Sequence, residues 1–209
     1  MIKLNLSSQT IEKLKQLFDV KEDGTCEFLG FRLDLEKSNI NDQVNPQALN
    51  RLTQWHVQLL ATLLSHYSRA NSKSLTGILI KFKDLPGGYS YEGAFDKRAI
   101  NPIAEFFGEK PAELPEAGKV LGGIQLSHGD ASVEITALKG IPLTYILWGS
   151  EEFPSSARIL YDQSASNYLP TEDLAVLGEL TTGRLIEAQH CLRKEQRSSD
   201  SFQRFHNFF

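Results

Sequence analysis

Between Lys119 and Gln163 four apolar runs follow one another with almost no chain to spare, and that spacing limits the possible folds more than any other feature of the sequence. KVLGGIQL is joined to ASVEITAL by SHGD, ASVEITAL passes through KGIPL into TYILWG, and ARILYDQ follows after a short link. The runs are rich in the β-branched and aromatic residues that suit strands. Parallel neighbours need a crossover of a dozen or more residues, whereas antiparallel ones are joined by a tight turn. The links therefore predict an α+β fold, a largely antiparallel sheet packed with helices.

Helical and strand signals precede and follow this block. Ile11, Leu14, Leu17 and Phe18 recur at helical spacing behind a serine-rich cap, which predicts a helix over 8–18. TCEFLGFRLDL predicts two short strands around a Leu29–Gly30 turn. A long helix is expected near 46–68, with Asn45 as cap, Pro46 in the first turn, and Leu49, Leu52, His56, Leu59, Leu60, Leu63 and Tyr67 on one face. In that stripe His56 reads as a hydrogen-bonded core histidine. Ile78, Ile80 and Phe82 then alternate as a strand before the turn LPGG, and YSYEGAF reads as the next strand. NPIAEFFGE is a short helix capped by Asn101, and PAELPEAGK a connecting loop. A C-terminal helix near 171–195 opens on Thr171, Glu172 and Asp173, which suit the positive end of its dipole, and carries Arg193 and Lys194 at the other.

Composition narrows the class. With 209 residues, 41% hydrophobic and 23% charged, the chain has the makings of one soluble unit over 1–209, its first 75 residues helix-rich. A net charge of −4 without basic blocks argues against a nucleic-acid partner. No apolar run reaches the roughly 20 residues of a membrane span, and MIKLNLSSQTIEKL lacks a secretory core, so the expected location is cytoplasmic, with no membrane contact. Cys26 and Cys191 form no CxxC pair and are expected to be reduced, so no thiol-based metal site is expected. The end of the chain, 199–209, gathers Phe202, Phe205 and Phe209 at helical spacing, a segment that must dock on its own domain, a protein partner or a second copy.

Two groups of residues are candidates for chemistry. His128 and Asp130 lie within one turn between strands, and the adjacent carboxylates Glu151 and Glu152 raise one another's pKa if one is buried, so together they are candidates for acid–base or cation-assisted catalysis. Between Trp148 and Leu180 six carboxylates face only Arg158, so acidity is concentrated there. For ligand binding the candidates are Gly87, Gly88, Tyr89 and Tyr91 in the glycine turn, with Trp148 and Arg158. LPGG and LGG lack the spacing of phosphate-binding loops, and no cofactor is indicated.

LPGG-Y, GAF, LGG, HGDAS, IPL, LWGSEEFP and ARILYD-SAS-YLPTEDLAVLG occur in one order from about Ile78 to Ile186. This order resembles the family catalogued as the domain of unknown function DUF3786, and 76–195 is the family-like core. The resemblance implies a shared fold and, by the setting of its members in anaerobes, an association with corrinoid or one-carbon redox proteins. It supplies no catalytic residues. Three readings follow, in order: a small-molecule or partner-binding accessory module, an acid–base enzyme using Glu151 or Glu152 with His128 or Asp130, and an oligomeric scaffold.

Overall fold

The computed structural model describes the backbone of residues 1–51, 53–149 and 153–206, and the side chains in that range other than those of 50, 51 and 198–206. The fold is α+β and the pairing antiparallel, divided between two sheets. Strands β1 (Ile2–Lys3), β2 (Thr25–Phe28), β3 (Phe31–Asp34) and β4 (Asn39–Asp42) lie in the order β1-β4-β3-β2. The second sheet contains β5 (Leu79–Lys81), β6 (Ile124–Leu126), β7 (Ala131–Leu138), β8 (Ile141–Trp148) and β9 (Ser156–Asp162), in the order β5-β9-β8-β7-β6. The helices are α1 (Ser8–Leu17), α2 (Gln54–Tyr67), α3 (Glu92–Phe95), α4 (Asn101–Phe107), α5 (Glu113–Val120) and α6 (Thr171–His206).

Local chemistry accounts for these elements. Ser7 caps α1 by accepting the Thr10 N–H at 3.1 Å. The β2–β3 hairpin turns on two residues of positive φ, Leu29 at 49° and Gly30 at 72°, as the tight primed turns require. In the second sheet Val133, Ile135, Leu143, Tyr145, Leu147, Ile159 and Tyr161 fill the face covered by α6 and its neighbours. Close approach of α6 depends on Gly178, because a Cβ there would stand 2.6 Å from both the Phe95 ring and the Tyr161 hydroxyl. The Tyr161 hydroxyl donates to the Leu174 carbonyl at 2.9 Å and fixes the register of helix on sheet.

Several segments depart from the sequence reading. The expected helix near 46–68 begins at Gln54; Ala48–Arg51 form a 3-10 turn, and Leu52 lies outside the described residues. His56 is exposed instead of lying in the core, because its Nδ1 is turned back to the Thr53 N–H at 3.2 Å as the helix cap. YSYEGAF is helical, not extended: a 3-10 turn at Gly88–Tyr91 leads through α3 and a π-helical turn at Asp96–Ile100 into α4, so Asn101 does not cap a new helix. Burial of Phe95, Ala99, Ile103 and Phe107 at four-residue spacing, with Phe95 stacked on Phe82 at 4.2 Å, explains that choice. PAELPEAGK contains α5 in place of a loop, since Pro115 falls in a first turn where no backbone donor is needed. Against β7 a Gly118 Cβ would meet Val133 at 2.4 Å. α6 continues past 195 to His206, about 54 Å at the usual rise per residue.

Candidate functional site

The residues singled out around Trp148 are brought only partly together. Trp148 and Arg158 sit diagonally on neighbouring strands, with the guanidinium carbon 5.2 Å from the indole centroid. Asp130 accepts the Gly149 N–H at 2.7 Å and donates its own N–H to the Leu147 carbonyl, so it pins the end of β8. The His128 N–H donates to the Ser132 hydroxyl at 2.8 Å while its side chain is exposed. Glu151 and Glu152 lie outside the described residues. Gly88 is buried because a Cβ would stand 2.1 Å from the Phe82 carbonyl, whereas Gly87, Tyr89 and Tyr91 are exposed on the turn itself. Phe202 and Phe205 belong to the α6 backbone, but their side chains, and Phe209 entirely, lie outside the described residues.

Arg158 does reach a groove of about 330 Å³ that none of Gly87, Gly88, Tyr89, Tyr91 or Trp148 lines. Opposite it stand Lys83, Glu92 and the π-turn residue Asp96. Burial pushes the Asp96 carboxyl up from its ordinary range, nearby Glu92 adds to the shift, and Lys83 opposes it. Lys83 is already paired with Glu92 at 3.4 Å. This is a mixed-charge crease with a less apolar lining.

A more apolar cavity, about 390 Å³, lies between α2 and α6. The apolar stripe of α2 supplies Trp55, Leu59, Leu60 and Leu63, and α6 answers with Val176 and Leu180, while Phe31 and Ala48 complete the walls. The two helices are tied at one end by a 2.6 Å contact between His66 Nδ1 and Asp173 Oδ2. The volume falls in the range of pockets that enclose small organic molecules, about 300–1,000 Å³, and the apolar lining is of the usual kind.

The floor of the cavity is ionic. Arg184 is buried and donates to both Asp42 carboxylate oxygens, at 2.6 and 2.7 Å, to Glu187 Oε2 at 3.0 Å, and through Nε to the Leu29 carbonyl at 2.9 Å. Its guanidinium also covers the Phe31 ring at 4.2 Å. Asp42 in turn accepts the Val44 and Asn45 N–H groups, so the pair is fully engaged and clamps β4 onto α6.

Gly183 bears most directly on function. Glycine in the interior of a helix costs about 1 kcal/mol relative to alanine. Gly178 repays that cost by admitting Phe95 and Tyr161, but a Cβ built at Gly183 meets no atom within 4 Å. Gly183 is exposed to solvent and lines the cavity, where its missing side chain leaves open space. The sequence reading overlooked Gly183, Arg184, Asp42 and Trp55. The available signal was a glycine and an arginine side by side in the middle of an otherwise amphipathic helix.

Burial pushes the Cys26 thiol up to about 12, with a smaller contribution from Glu27, so it is a poor nucleophile near neutrality. No group of three or more His, Cys, Asp or Glu side chains able to hold a metal ion occurs among the described residues. No helix among them is long and apolar enough to cross a membrane. Residues 8–184 match the model of a family described as Domain of unknown function (DUF3786). No curated protein and no solved structure matches the chain.

Proposed function

The chain belongs to the DUF3786 family, whose description carries no activity, and we propose from the geometry that it is a binding module holding a small, largely apolar ligand between α2 and α6. The observation that carries this reading is Gly183, a helix-weakening residue that no packing contact requires and that lies, exposed, on the lining of the cavity. The unpaired cysteines, one buried and one half-buried, support a cytoplasmic location. The association with corrinoid or one-carbon redox proteins is part of the same proposal, and it places this module beside such proteins as an accessory.

The test uses the two tryptophans. A Trp148→Phe protein keeps only Trp55, which is 66% exposed on the cavity wall and reports occupancy through its emission. Gly183→Ala is expected to stabilise the fold by up to about 1 kcal/mol in urea unfolding. Gly183→Leu should fold equally well, yet remove the Trp55 response to 2-phenylethanol by filling the cavity. Unchanged binding of that probe to Gly183→Leu would place the ligand elsewhere.

A further inference from the structure

We propose that the cavity selects apolar ligands carrying an amine, with the ammonium group seated above Gly183 between two carboxylates; this rests on the cavity being a binding site. Glu179, Gly183 and Glu187 recur at four-residue spacing, which places them on one face of α6 with about 6 Å of rise between neighbours. The notch left by the glycine is therefore flanked along the helix by an acid on each side. All three residues line the cavity.

Charge counting strengthens the assignment. The described lining contains three carboxylates, Asp42, Glu179 and Glu187, one permanent cation, Arg184, and the His56 imidazole, whose Nδ1 accepts the Thr53 N–H. Arg184 is committed to Asp42 through two hydrogen bonds and is itself buried, so it is not available to greet an anionic ligand. Among the described residues Glu179 is held only by a 3.5 Å contact with Arg98, a side chain 66% exposed to solvent. Glu187 uses one oxygen on Asn45 and the other on Arg184, which leaves lone pairs for a further donor.

These facts discriminate among ligand classes. An organic anion would add a further negative charge beside Glu179 and Glu187, whose cationic partners Arg98 and Arg184 are already engaged with them. A neutral ligand gains only the apolar walls. A protonated amine gains those walls, donates to carboxylates at the notch, and can present its charge to the exposed Trp55 indole.

The experiment compares 2-phenylethylamine, 2-phenylethanol and 3-phenylpropionate on the Trp148→Phe protein by Trp55 emission. The amine is expected to bind about tenfold more tightly than the alcohol, the sum of a partly shielded ion pair and a cation–aromatic contact, and the carboxylate to bind more weakly than either. Glu179→Gln should weaken amine binding about fivefold and leave the alcohol unchanged. Added salt should weaken only the amine. Equal binding of amine and alcohol, or preference for the carboxylate, would overturn the amine assignment while leaving the cavity standing. Failure of all three to bind, or binding that persists in Gly183→Leu, would overturn the cavity reading and the amine assignment with it.

Discussion

Asp42→Asn is expected to lower stability by about 3–5 kcal/mol, the usual result of removing one partner from a buried ion pair and leaving the other charge uncompensated. Side-chain exposure is 4% for Arg184 and 2% for Asp42, so water cannot take the place of the lost partner. Asparagine has nearly the same shape, but whichever way its amide turns, the NH₂ group faces the guanidinium, and in one orientation the Val44 and Asn45 N–H groups as well. Glu187, at 3.0 Å, recovers part of the loss and places the expected value toward the lower end. In thermal unfolding this corresponds to a fall of roughly 10 °C for a chain of this size. Adding Arg184→Met to Asp42→Asn should restore part of the stability, because it removes the orphaned charge. If the double variant were less stable than Asp42→Asn alone, the clamp would not act as an ion pair.

Asp162→Asn is the second large effect, expected at about 2–4 kcal/mol near neutral pH. The buried Asp162 carboxylate accepts five hydrogen bonds: Oδ1 takes the N–H and hydroxyl of both Thr76 and Ser164, and Oδ2 takes the Gly77 N–H at 2.7 Å. Burial alone would push this carboxyl up, but the donors of Ser164 and Thr76 outweigh it and hold the group well below the usual carboxylate range. A folded pKa below the unfolded value of about 3.9 stabilises the protein above that pH, and the gain is lost as pH falls from there toward the folded value. The gap between wild type and Asp162→Asn should therefore be full at pH 7 and shrink below about pH 4. Urea titrations at pH 7 and pH 3 measure it, and an equal gap at both would show that ionisation of Asp162 contributes nothing. Because Thr76 and Gly77 lead into β5, loss of these bonds should first loosen the edge strand paired with β9.

The hairpin block was legible in sequence because short links leave no alternative to antiparallel pairing: β7 and β9 fall where ASVEITAL and ARILYD stand, while β8 takes in Ile141–Leu143 of the expected link before TYILW, and of KVLGGIQL only Ile124–Leu126 is strand, Lys119 and Val120 ending α5. The Leu29–Gly30 turn and the capped start of α1 were read from equally local chemistry, whereas Thr171, expected to cap α6, is its first helical residue and donates its hydroxyl to the Pro86 carbonyl. What failed was residue composition taken without periodicity. Prolines 111 and 115 with Gly118 suggested a loop where a helix starts, and the alternating tyrosines of YSYEGAF hid the four-residue stripe from Phe95 to Phe107. The cavity was not legible at all, because it joins Asp42 to Arg184 across 142 positions. Asp130 and Gly88, chosen for possible chemistry, are occupied in closing a strand end and admitting a carbonyl.

The central claim is that the space between α2 and α6 is a ligand site, and methyl NMR spectra of leucine- and valine-labelled protein titrated with 2-phenylethylamine test it most directly. The account predicts saturable shifts at Leu59, Leu60, Leu63, Val176 and Leu180, with Leu126 and Leu160 on the outer face of the second sheet unmoved. Shifts confined to Leu126 and Leu160, or no saturable shift in the α2–α6 methyls, would contradict it.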